Sequence, residues 1–136
     1  MSTHAIIGIK LGDEIKSIYC HYDGYSVGPT LKEYYNDSDL ANKLIALGSI
    51  SCLGTTIGKK VDFNKYNSVP AMMERESKGE EMQTVAYHRD RGEPLKIDTY
   101  NSIEEFISSN NDYSYIYLYD NGWKFYNKDI DEFVKY

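Results

Sequence analysis

Residues 86–93, AYHRDRGE, put Tyr87, His88, Arg89, Asp90 and Arg91 in one run that Gly92 and Glu93 close. Such a run suits proton transfer by a histidine, a metal held by His and Asp, or a grip on an anion. In an extended strand alternate residues point the same way, so Tyr87, Arg89 and Arg91 would share one side, with His88 and Asp90 on the other. Two guanidinium groups about 7 Å apart, by strand rise, match neighbouring phosphates through bidentate hydrogen bonds. Tyr87 beside them offers a ring to stack on a base or ribose. Asp90 would hold one arginine in its rotamer or accept from a sugar hydroxyl. The chain has three arginines (Arg75, Arg89, Arg91) against 12 lysines, and two in one short run indicate a need for planar forks that lysine lacks. On this reading, replacing Arg89 or Arg91 by Ala weakens ligand binding and spares the fold. The plain alternative is a surface ion-pair network of Arg89, Asp90, Arg91 and Glu93, worth little energetically.

A second stretch, YCHYDGY at 19–25, gathers His21, Tyr22, Asp23 and Tyr25 at a strand end and an Asp-Gly turn. It reads either as an aromatic cap over the core or as a wall for a planar ligand beside the arginines. His-x-Asp occurs in both stretches, at His21/Asp23 and His88/Asp90, so two neighbouring strands would assemble an N₂O₂ set for zinc or manganese. Arg89 and Arg91 oppose a cation there, and Asp23 has a sufficient role in the turn with Gly24. The letters HRD also occur in protein kinases, but here no Gly-rich phosphate loop or DFG accompanies them. No Ser sits in a G-x-S-x-G elbow, and no second group is placed to work with a histidine as base. These residues read as a binding site, with no catalytic set and no cofactor.

The elements that must carry them are short. HAIIGIK (4–10) and IKSIYCH (15–21) read as a β-hairpin, and YDGYSVGPT as a loop, with a helical turn or two over 31–36. A helix follows with Asp37 or Ser38 as cap, Leu40, Leu44 and Leu47 on one face, and Gly48 at its end. Residues 49–65 look irregular or briefly extended, and 66–83, YNSVPAMMERESKGEEMQ, read as a long mobile loop with Met72 and Met73 as anchors. Residues 84–88 resume a strand. Ser102 and Glu105 form a capping box for a second helix that buries Ile103, Phe106 and Ile107. Residues 113–126 form a Tyr-rich hairpin about Asn121-Gly122, and the tail DIDEFVKY is a short helix or strand. The expected class is α+β, a single domain over 1–136 with an antiparallel sheet of hairpins and two helices.

At 136 residues and 41% hydrophobic the chain can bury a core, though 14 tyrosines put hydroxyls at its boundaries. A net charge of −6 disfavours long nucleic acid, where phosphate neutralisation supplies the affinity, and leaves room for a small anion in a local basic pocket. No apolar run reaches the roughly 20 residues of a membrane span, so no membrane partner is expected. Cys20 and Cys52 fit no zinc spacing and read as buried thiols of a cytosolic protein. Abundant tyrosine at strand positions suits an interface, so a homodimer or larger homo-oligomer is expected.

YCHYDGY, KLIALGSIS (43–51) and AYHRDRGE, with the capped helix and Tyr-rich hairpin, resemble a family of small phage and prophage proteins, the Thoeris anti-defence sponges. The resemblance covers nearly the whole chain, except 66–83. It implies a protein of the host bacterial cytoplasm that sequesters a cyclic nucleotide signal of the glycocyclic ADP-ribose class without cleaving it. It implies further that Arg89 and Arg91 meet the diphosphate and that YCHYDGY residues line the base or ribose. Two other classes stay open: an acidic anti-CRISPR-type inhibitor of a host defence nuclease, and a metal-dependent nucleotide hydrolase.

Overall fold

In the computed structural model, which describes residues 4–22, 24–58 and 84–136, the first hairpin joins β1 (Ala5–Leu11) to β2 (Glu14–Cys20). Its register runs from Ala5↔Cys20 to Leu11↔Glu14, and Gly12 takes the left-handed φ of +64° that the tight turn needs. On its other side β1 pairs in parallel with β6 (Tyr115–Tyr119), which turns through Asn121 and Gly122 into β7 (Trp123–Asn127). β8 (Glu132–Lys135) closes that edge. The free side of β2 carries two short strands: β3 (Ile50–Cys52), parallel through Cys20↔Ile50, and β5 (Asp98–Tyr100), antiparallel along Ile15–Ser17. β4 (Val85–Ala86) pairs with β3, giving the order β4-β3-β2-β1-β6-β7-β8 with β5 beside β2.

Helices cover both faces of this sheet, which is why Ala5 to Ile9 are buried without alternation. On one face α1 (Gly24–Tyr34) and α2 (Ser38–Ala46) pack Val27, Leu31, Ala41 and Leu44 onto Ala5, Ile7, Ile18 and Tyr117. On the other, Phe106 of α4 (Ile103–Ser109) lies over Gly8, where a Cβ would stand 3.1 Å from the ring, among Ile6, Ile15 and Leu118. The caps form as the sequence indicates. Asp37 accepts from Leu40 N at 2.8 Å, and Ser102 Oγ from Glu105 N at 3.1 Å, while Glu105 Oε2 reaches back to Asn101 N. Gly48, at φ +75°, ends α2.

The α+β class and both long hairpins are as expected, but among the described residues four helices stand where two were read, and the sheet has two parallel joins. YDGYSVGPT is not a loop: from Gly24 onward it is the start of α1, with Pro29 inside the helix and exposed. Val27 and Leu31 stand four residues apart, and their burial overrides the Gly/Pro punctuation. Tyr117 assists, since its hydroxyl donates to Gly24 O at 3.0 Å and takes a hydrogen bond from the Gly28 backbone. Gly28 also admits the Tyr136 ring, which a Cβ would meet at 2.5 Å. The strand over 84–88 stops at Ala86, and Tyr87–Arg91 form a one-turn helix, α3. Ile103 is 36% exposed and takes no part in the buried face of α4. The tail is a strand. The loop read at 66–83, with Met72, Met73 and Arg75, lies outside the described residues, as does Asp23. Among the described residues no helix is long and apolar enough to cross a membrane.

Candidate functional site

β3 brings the two marked stretches together. Beyond Cys20 the chain keeps to its side, with His21 N donating to Ile50 O (3.1 Å) and Tyr22 N to Ser51 O (2.9 Å). From β4 the chain enters α3, and Tyr87 N donates to Ser49 O at 3.2 Å. Tyr87 thus stands near Tyr22 with its hydroxyl bonded to Ser51, and burial pushes its phenol above 10.0. Gly92, at φ +78°, ends α3 after one turn; its N–H and that of Glu93 bond back to the His88 and Tyr87 carbonyls.

The turn separates the two arginines. On a helix, residues two apart diverge by roughly 200°, where a strand would align them. Arg89 points inward and uses all five of its N–H donors. Nε and one terminal nitrogen grip Asp90 at 3.0 and 3.1 Å; the remaining bonds reach Thr84 O (2.7 Å), Ile57 O (2.8 Å) and Gly58 O (3.3 Å). The Asp90 side chain is fully buried and also accepts from Ala86 N at 2.8 Å. Of the two roles read for Asp90, it performs the first, fixing an arginine. The expected row of Tyr87, Arg89 and Arg91 is therefore not formed. Arg91 faces outward, its side chain 55% exposed, with Nε 3.6 Å from Glu93 Oε2. His88 is also outside, its Nδ1 donating to Glu93 O at 2.7 Å.

The other stretch gains a residue that sequence reading passed over. Just beyond the last hairpin pair, Ala5↔Cys20, His4 stacks on His21 with ring centroids 4.7 Å apart. His4 Nδ1 donates to His21 O (2.7 Å). His21 Nδ1 meets the Tyr19 hydroxyl at 2.8 Å, and Tyr22 stands edge-on to the His21 ring at 4.6 Å. Burial and then the neighbouring Tyr113 push the Tyr19 phenol up to about 12, so it stays protonated beside the imidazole. Burial and then His4 lower the His21 pKa from 6.5. The signal for His4 was present, since a two-residue hairpin turn fixes every opposite pair. Tyr25 lies in the first turn of α1.

Between β3 and the chain after α3 is a groove of about 390 Å³ whose lining includes Ser49, Tyr87, Glu93, Leu95 and Lys96. Glu93 is half exposed as a side chain, yet its Oε2 is shielded from solvent and makes no hydrogen bond among the described residues, the Arg91 pair being too long for one. An acceptor in that position suits a hydroxyl donor from a ligand. Among the described residues, no three His, Cys, Asp or Glu side chains group to hold a metal. Compared with known proteins, the chain matches no family model, no curated protein and no solved structure.

Proposed function

We propose that the protein binds and sequesters a small cyclic nucleotide signal of the glycocyclic ADP-ribose class without cleaving it, as the phage-family resemblance implies. The observation that carries this is the nearness of Tyr22 to Tyr87 across β3, beside a groove lined by Tyr87, Glu93 and Lys96, with Arg91 Nε 3.6 Å from the Glu93 carboxylate. Tyrosine faces suit a base or ribose, and Glu93 Oε2 suits a ribose hydroxyl. Arg91 and Lys96 suit the diphosphate, with Arg91 exchanging a loose carboxylate partner for a phosphate fork. Arg89, its donors engaged, serves this site by holding α3 in shape. A homodimer would enclose such an open groove more fully; light scattering that gives a clean monomer mass removes that part of the proposal.

The test is to incubate the protein with glycocyclic ADP-ribose, then compare the free ligand with that recovered after heat denaturation. Depletion followed by intact recovery supports sequestration. A recovered product means a hydrolase, and no depletion means a different ligand or a protein partner. The protein-partner reading has its own observation, a groove of about 630 Å³ between α4 and β8 where Ile107 and Phe133 are flanked by Glu104, Asp131 and Glu132. That combination suits a basic, partly apolar partner such as a host nuclease surface.

A further inference from the structure

Lysines are scattered along this acidic chain, yet three of them line one pocket that shares no residue with the Tyr87 groove. It lies where the last turn of α1, the β6–β7 turn and the end of β8 meet, has a volume of about 390 Å³, and is lined by Lys32, Lys124 and Lys135 with Asn36, Asp120 and Trp123 among its other walls. The β7–β8 register sets Lys124 directly opposite Lys135, a like-charge cross-strand pair that is unfavourable by itself. Asp120 compensates part of it, holding Lys124 Nζ at 3.3 Å. Among the described residues, neither Lys32 nor Lys135 has a carboxylate within ion-pair distance. With one side-chain carboxylate against three ammonium groups, the side chains of the lining carry a surplus of two positive charges in a protein of net charge −6. The Trp123 indole is fixed beside it by donating to Tyr35 O at 3.0 Å, and Asn36 adds an amide able to donate to an oxyanion.

We propose that this pocket binds a small molecule through a phosphate or diphosphate group. The group would supply the counter-charge that Lys32 and Lys135 lack and relieve the Lys124–Lys135 repulsion. Free diphosphate and a nucleoside diphosphate present the same chemistry, and both serve as probes.

Trp123 is the single tryptophan of the chain, so its fluorescence reports on this pocket alone. Titration with inorganic pyrophosphate is expected to give a saturable change with half-saturation below about 1 mM at low salt, weakening as salt rises. ADP is expected to bind as tightly or more tightly. Lys32→Gln and Lys135→Gln each weaken binding by about tenfold. The thermal midpoint of Lys135→Gln without ligand stays at or above that of the unsubstituted protein, because a repulsion is removed. Arg91→Ala leaves the pyrophosphate titration unchanged, so failure at the Tyr87 groove is distinguishable from failure here. A flat titration with both probes, or lysine variants that bind as the unsubstituted protein does, overturns the proposal.

Discussion

Arg89 and Arg91 stand two residues apart on one helical turn, and their surroundings are opposites. Around Arg89 every donor has an acceptor, the counter-ion Asp90 is fully buried, and the bonded carbonyls come from two other segments of chain. Around Arg91 the side chain is mostly in solvent, and one carboxylate oxygen stands beyond hydrogen-bond reach. The same residue type therefore works as a structural tie at one position and stands largely in solvent at the other. Side-chain identity named the chemistry, while the backbone conformation decided which arginine turns inward and which faces solvent.

The largest expected effect lies on the tie. Arg89→Ala strands a buried carboxylate and should destabilise the protein by about 3–5 kcal/mol in denaturant titration. Lysine at 89 should recover only part of this, since a point charge cannot reach the same five acceptors. A variant within about 0.5 kcal/mol of the unsubstituted protein would mean that Arg89 is not the tie described. Next comes Tyr35→Phe, which tests the wall behind it. The Tyr35 hydroxyl donates to Gly54 O at 2.8 Å and meets Thr84 Oγ1 at 3.1 Å, both buried, so its loss should cost about 1–3 kcal/mol. Burial also pushes that phenol up to about 12, and its absorbance should fail to titrate near 10 in the folded protein.

Arg91→Ala should sharpen the contrast by changing stability by less than about 0.5 kcal/mol. The same variant should weaken binding of glycocyclic ADP-ribose by about 1.5–3 kcal/mol in calorimetry. Unchanged affinity would remove Arg91 from the site. The smallest effect belongs to His21. Its pKa is lowered in the folded protein, so the unfolded chain takes up the proton first as pH falls. Stability is fully present above about pH 6.5, declines as pH drops from there towards the lowered value, and levels off below it. His21→Gln should flatten that decline. A wild-type denaturation midpoint that rises on acidification through this window contradicts the assignment.

Much of the frame was legible because local rules suffice for it. The Gly12 turn, the Asp37 and Ser102 caps, Gly48 and Asn121-Gly122 each act within a few residues of themselves. What escaped depends on distant partners. α1 forms through a Gly- and Pro-marked segment because Val27 and Leu31 find β1 and Tyr117 finds Gly24, 93 residues away in sequence. The parallel β1–β6 join has no turn to announce it. At the site, the strand reading of AYHRDRGE failed because Asp90 closes a helical turn onto Ala86 N, and the alternation ahead of it gave no warning. The neighbourhood of the two stretches was anticipated, and His4 could have been, had the register been extended by one pair.

The bridging hydroxyl of Tyr117 bears on the order in which the chain can assemble during synthesis. The β1–β2 hairpin is local and can close soon after it emerges. The first turn of α1 is completed from β6, and β1 lacks its second neighbour until residues 115–119 arrive. Until then the nascent protein would present Ile6, Ile7 and Ile9 on an open central strand, with the start of α1 undocked. Chaperone demand should then fall sharply once residues 115–119 are made, a step set by topology more than by local helix strength.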